Sequence, residues 1–215
     1  MISEQYKIPS ICFIIIATVF IWSGIAPYER ITWWLEIVPV LITLPILFAT
    51  YKNFRLTNLL YILITLHAII LMVGGHYTYA RVPAFDWIRD ITGGERNSFD
   101  GLGHLAQGFI PAIAARELLL RTSPLRYGKW MFTLIVFSCF GIAAIYEIIE
   151  WVAALIIGQG ADEFLGTQGD EWDTQKDMAL AGVGAGLALL TLSKLHDRTL
   201  RKLGIGYSVG APSNK

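Results

Sequence analysis

The chain has 215 residues and a formal net charge of +0 at pH 7, which gives a nucleic-acid partner no electrostatic support. Hydrophobic residues make up 54% and charged residues only 16%, with a mean hydropathy of +0.53, a balance that excludes an ordinary water-soluble domain. The cysteines, Cys12 and Cys139, both lie in apolar runs and supply neither a disulfide framework nor a zinc motif.

A membrane-spanning helix needs roughly 20 mostly apolar residues. The first such run extends from about Ile8 to Ala26, the second from Thr32 to Thr50, and the third from Leu56 to Gly75. The fourth, Gly101 to Leu120, is weaker because it carries His104, Gln107, Arg116 and Glu117. The fifth, Trp130 to Ile157, is long enough to tilt, and the sixth covers Asp177 to Leu195. The sequence therefore predicts an all-α polytopic bundle of about six transmembrane helices, a single integral membrane domain over 1–215. Within it, residues 8–75 read as generic anchor helices, 76–195 as the motif-bearing part, and 196–215 as a cytoplasmic tail. Ser23 to Ala26 loosely resembles a signal-peptide cleavage site, but the apolar stretch before it is long for a signal core and reads as a retained helix.

Lys and Arg set the expected orientation. With the N-terminus inside, Lys7, Lys52, Arg55, Arg121, Arg126 and Lys129 fall on the inner side, as do Lys194, Arg198, Arg201, Lys202 and Lys215. The outer side holds Arg30, Arg81, Arg89, Arg96 and Lys176. Both termini are expected in the cytoplasm. The polar residues of the later helices then converge on the outer face, beside the two longest loops, roughly 76–99 and 158–176.

Three helices repeat one pattern. Asp100, His104, Gln107 and Gly108 share a face of the fourth helix; Ala143, Glu147, Glu150 and Ala154 share a face of the fifth; Asp173, Asp177, Ala181 and Gly184 line up on the sixth. Each stripe is polar near the outer surface and small below it, and small residues let membrane helices approach closely. Ionisable groups in hydrocarbon are costly and usually face a bundle interior or a wet cavity. His104, Glu147, Glu150, Asp173 and Asp177 together offer hard oxygen ligands plus one imidazole, a set suited to a divalent metal ion such as Mg²⁺, Mn²⁺, Ca²⁺ or Zn²⁺. Asp100 would orient His104, and His104, Glu147 and Glu150 are the candidate catalytic groups. Asp100, Asp173 and Asp177 also suit helix caps. His67 reads as a packed residue and His196 as an exposed tail residue. The loops add His76, Tyr79 and Arg81, then Arg96, and then Gln168, Asp170 and Trp172. The tyrosines there also fit an interfacial aromatic belt. The acidic 166–173 turn suits a cation, sugar or amine better than a phosphate.

From His76 to about Ala188 the chain resembles the YjdF-type family of bacterial inner-membrane proteins, on the strings HYTYARVP, RNSFDGLGHLAQGF, YEIIEW and FLGTQGDEWDTQKDM. The resemblance implies a bacterial inner (plasma) membrane protein and carries no biochemical activity with it. A more distant likeness is to VanZ-like membrane proteins: Asp100 and His104 match their pair four apart, Glu147 and Glu150 stand where they have Glu and Gln, and Asp177, Ala181 and Gly184 where they have Asp, Asn and Gly. These departures add an acid and remove an amide, so this likeness implies a shared bundle more than a shared activity.

Three functions compete at this point. One is a metal-assisted membrane enzyme of the outer leaflet acting on an envelope or lipid-linked ligand, although no defined metalloenzyme signature is present. Another is a proton- or cation-coupled small-molecule transporter, against which no inverted repeat and no continuous polar path are evident. The third is a non-enzymatic structural or lipid-binding envelope protein. The lipid bilayer is the one partner all three require.

Overall fold

The computed structural model describes residues 4–158 and 167–205; Gly166 of the acidic turn and Lys215 of the tail lie outside the described residues. The described chain folds into helices α1 (Glu4–Ser23), α2 (Arg30–Thr50), α3 (Asn58–Tyr77), α4 (Pro83–Thr92), α5 (Phe99–Thr122), α6 (Lys129–Ile157) and α7 (Asp173–Lys202). Five of them, α1, α2, α3, α6 and α7, are long and apolar enough to cross a bilayer. α5 has the length, at 24 residues, but its charged residues lower its apolarity, and it packs against α3, α6 and α7. The chain is a polytopic helical membrane bundle. α4 is a short amphipathic helix inside the segment expected as a loop. Pro83 starts it at N1, where the missing N–H costs nothing, and Gly93 ends it with φ 68°.

α3 joins two groups of helices. On one side it packs with α1 and α2 around Ile16, Trp33, Ile37, Val40, Ala68 and Met72. On the other it meets α5, which packs most extensively on α7, with α6 closing against both. The α5–α7 contact is made by backbone. A Cβ added at Gly108 would sit 1.8 Å from the carbonyl oxygen of Ala181, and one added at Gly184 would sit 2.1 Å from that of Leu105. Ala112, Ala181, Ala185 and Ala188 along the same seam are fully buried. Apolar side chains gain nothing over lipid tails by facing each other, so this intimate van der Waals packing of small residues is what draws the two helices together.

A polar lock closes the end of the bundle where α3 begins and α5 and α7 finish. The fully buried Glu117 carboxylate accepts hydrogen bonds from Thr57 N (3.0 Å), Thr57 Oγ1 (2.7 Å), Arg121 Nη1 (2.8 Å) and His196 Nε2 (3.0 Å). Arg116 donates to His196 Nδ1 (2.8 Å) and to Asp197 Oδ1 (2.6 Å). His196 thus bridges Arg116 and Glu117 through its two ring nitrogens. The sequence placed His196 on an exposed tail; it is completely buried, because α7 continues past it to Lys202 and carries it back onto α5. Arg116 is buried beside it.

Gly108→Ala should lower stability by about 1–3 kcal/mol by forcing α5 and α7 apart. Gly141→Ala, at a site with nothing within 4 Å of the new methyl, should leave it unchanged. Thermal unfolding of the two variants in the same detergent checks this; equal midpoints would contradict the close-contact seam.

Candidate functional site

The opposite end of the bundle, where α3 finishes and α5 and α7 begin, gathers the acids. Asp100 and Asp173 sit in the first turns of α5 and α7, and neither is the N-cap, a position held by Ser98 and Trp172. Both side chains turn inward instead. The Gly108–Gly184 seam sets α7 beside α5 one helical turn below, which brings Asp177 to His104.

His104 is the centre. Its Nδ1 donates to Gln107 Oε1 at 3.0 Å. Nε2 then faces Asp100 Oδ1 at 3.5 Å and Asp177 Oδ2 at 3.9 Å. One ligand atom from each of Asp100, His104 and Asp177 lies within 4.8 Å of the others, and all three residues are buried. Both Nε2 separations exceed a good hydrogen bond. They approach the ~3.3–3.6 Å at which ligand atoms stand around a tetrahedral ion with bonds of about 2.0–2.2 Å. On the other edge of the ring, Glu147 Oε1 lies 3.7 Å from Nδ1 and is buried with no hydrogen-bond partner. Among the described residues, His104 is the one basic group within ion-pair distance of Asp100, Asp177 and Glu147.

Asp173 is engaged differently. Arg96 Nη1 pairs with Asp173 and, at 3.0 Å, with Asp170. Lys176 also reaches Asp170, and with the Trp172 N–H it holds the Asp170 carboxyl below its usual range. Beside this latch, the Asn97 N–H donates to Gln168 Oε1 and the Asn97 carbonyl accepts from Gln168 Nε2, each at 2.9 Å. The fully buried Asn97 amide donates to Val82 O and Asp86 Oδ1, and its oxygen caps Phe99 N. These loop residues tie α4, α5 and the entry to α7 into a cover over the acids. The Trp172 side chain is 59% exposed and takes no part in it; the residue contributes only its backbone N–H to Asp170. His76 belongs elsewhere: its Nδ1 donates to Ser23 O at 2.9 Å and its ring packs on Trp22, joining α1 to α3. Arg81 stacks on Tyr28, its guanidinium 4.3 Å from the ring centroid.

Tyr79 reads in sequence as a member of an aromatic belt, yet it is buried. Thr78 and Tyr79 both adopt left-handed backbone (φ 57° and 50°), which reverses the chain and folds the Tyr79 ring back into the bundle. Two glycines make room for it: a Cβ would come within 2.4 Å of the ring at Gly74 and 3.0 Å at Gly103. There Tyr79 lines the same cavity as Glu36 on α2, which accepts from Tyr146 Oη at 3.2 Å. Glu36 is only 3% exposed, and the sequence pattern gave it no prominence. The signal was present: it is the one acid inside the second apolar run, between Trp34 and Pro39.

A cavity of about 330 Å³ lies among α2, α3, α5 and α6. Glu36, Tyr79, Asp100, His104, Tyr146 and Glu150 form its polar end. Glu150 lies one turn beyond Tyr146 on α6, so it sits beside the Tyr146–Glu36 bridge. The opposite end is mostly apolar, with Leu44, Ile64, Ala68, Ile110 and Ala114 in its wall beside Thr43 and His67, whose buried Nε2 has no hydrogen-bond partner among the described residues. The structure thus places the predicted site residues in two adjoining groups: Asp100, His104, Gln107, Glu147 and Asp177 around the imidazole, and Glu150 with Glu36 across the cavity mouth.

Comparison with known proteins locates this arrangement in a family. No solved structure matches the chain. The inner membrane protein YjdF of Escherichia coli (strain K12) is 49% identical over 187 residues, which cover 87% of this chain and 90% of that protein. The profile of a family described as "Predicted membrane protein (DUF2238)" matches residues 8–198, from the first spanning helix to the end of the buried lock. Both the extent of the match and the level of identity show that the chain belongs to this DUF2238 family of membrane proteins.

Proposed function

We propose that this multi-pass inner-membrane protein binds a divalent cation between Asp100, His104 and Asp177 at its periplasmic face, and uses it to hold an envelope or lipid-linked ligand. The observation that carries this reading is the ring of buried acids around a single imidazole. Asp100, Asp177 and Glu147 repel one another unless a cation or shared protons intervene. The Gln107 carbonyl fixes the Nδ1 proton and so turns the Nε2 lone pair toward Asp100 and Asp177. Two carboxylates and one imidazole suit Zn²⁺ or Mn²⁺. Glu147 acts from behind the ring, orienting His104. Such an ion would keep open positions toward the cavity, where it could polarise a ligand oxygen or activate water. A cation-carrier role is less well supported, because the cavity wall beyond His104 is mostly apolar and the Glu117–His196 lock fills the far end of the bundle.

Protein purified without chelator should contain close to one equivalent of Zn²⁺ or Mn²⁺ by elemental analysis. His104→Ala and Asp177→Asn should lose it, and Glu147→Gln should bind about tenfold to a hundredfold more weakly. Affinity should fall with falling pH, since protons compete for the imidazole and carboxylates. A folded wild type that takes up neither metal at millimolar concentration would rule out the cation site.

The Lys and Arg bias supports cytoplasmic termini and a periplasmic site. A reporter fused after Lys215 should be active only as a cytoplasmic fusion; periplasmic activity would invert the topology and move the site to the cytoplasmic face.

A further inference from the structure

We infer that the cavity is a binding site for a long-chain amphiphile with a cationic amine headgroup, entering sideways from the bilayer between α2 and α6. The inference deepens the reading of this site as a ligand site but does not depend on the metal, because it rests on residues of the cavity outside the proposed ion shell. Shape comes first. α2 packs along α3 and, among the described residues, makes no comparable contact with α5 or α6. The space left between them is the cavity, bridged at one end by the Tyr146–Glu36 hydrogen bond. Ile142 on α6 lines this space while remaining 47% exposed on the lipid side, which marks the gap as a lateral opening. At about 330 Å³ the cavity is of the size that takes a small ligand, with room for a single alkyl chain. A pocket with one polar end and a mostly apolar remainder suits an amphiphile better than a small, wholly polar solute.

Charge decides the headgroup. Glu36 and Glu150 flank the mouth, and neither is a member of the Asp100–His104–Asp177 group. With a divalent ion engaging Asp100 and Asp177, the Glu36 and Glu150 carboxyls remain at the polar end, with no ion-pair partner among the described residues, to accept from a headgroup. A phosphate head would face them unscreened. An ammonium would sit between two carboxylates and against the rings of Tyr79 and Tyr146, whose faces favour cations. Glu147 Oε1, buried and without a hydrogen-bond partner, adds a further acceptor behind His104. The same geometry explains the glycines at 74 and 103: they admit the Tyr79 ring to the cavity wall that Glu36 also lines.

The test is binding to the purified full-length protein in a maltoside detergent, followed by native mass spectrometry and thermal shift, with decylamine, decanol and decyl phosphate as probes. Decylamine should bind at least about tenfold more tightly than decanol, and decyl phosphate most weakly. Glu36→Gln and Glu150→Gln should each remove that preference. Either variant suffices if the other does not fold, and retention of the tyrosine-mediated fold is checked by size-exclusion profile. The wild-type protein stripped of metal by chelator should keep the preference, which separates failure of the ion site from failure of the amine site. Lipid extracted from the purified protein distinguishes the natural sources: enrichment of a phosphate-free amino lipid places the amine on a lipid head, and recovery of a free alkylamine places it on a soluble amphiphile. Equal binding of the three probes, or tighter binding of decyl phosphate, would overturn the inference.

Discussion

The close approach of α5 and α7 is the constraint on which the rest of this molecule depends. Gly108 and Gly184 remove the two side chains that would hold the helices apart, so that backbone meets backbone within the bilayer. With that contact made, both ends of the pair are determined. At one end His196 falls against Glu117 and Arg116; at the other Asp177 falls beside His104 and Asp100. A membrane helix pair has little hydrophobic drive to associate, so the fit of small residues decides the register, and the register decides which polar groups meet.

The two polar ends are built on opposite principles. The Glu117 carboxylate is fully engaged by donors, and the charges of Arg116 and Arg121 balance those of Glu117 and Asp197. Such a network holds helices in place and has no spare capacity for a ligand. Around His104 the balance is deliberately poor in positive charge. Asp100, Asp177 and Glu147 share one imidazole, Glu36 and Glu150 add two further acids across a cavity, and the nearby Arg96 is committed to Asp170 and Asp173. Unsatisfied polar groups in a buried site cost stability, and their persistence beside an open cavity is what distinguishes a site from a lock.

Much of this was legible in the sequence because it depends on period. Residues three or four apart share a helix face, so Asp100, His104 and Gln107 on α5, and Asp177, Ala181 and Gly184 on α7, could be assigned to facing stripes without coordinates. What could not be read was set by tertiary contact. Tyr79 looked like an interfacial aromatic because nothing local reveals that two left-handed residues turn its ring inward against Gly74 and Gly103. Glu36 looked incidental because its partner Tyr146 and its cavity neighbour Tyr79 come from distant segments. His196 looked like a tail residue because its burial depends on α7 continuing beyond its apolar stretch. Asp173 and Asp177, one turn apart on the same face, meet different partners, since Arg96 reaches the first from the loop before α5.

The central claim is that the α5–α7 contact assembles one ion site from Asp100, His104 and Asp177. X-ray absorption spectroscopy of the zinc-loaded protein addresses it directly. The account predicts a shell with a single imidazole and oxygen ligands at about 2.0–2.2 Å, in which the imidazole scattering disappears in His104→Ala. A shell of oxygen alone in the wild type, or one unchanged by His104→Ala, would contradict it.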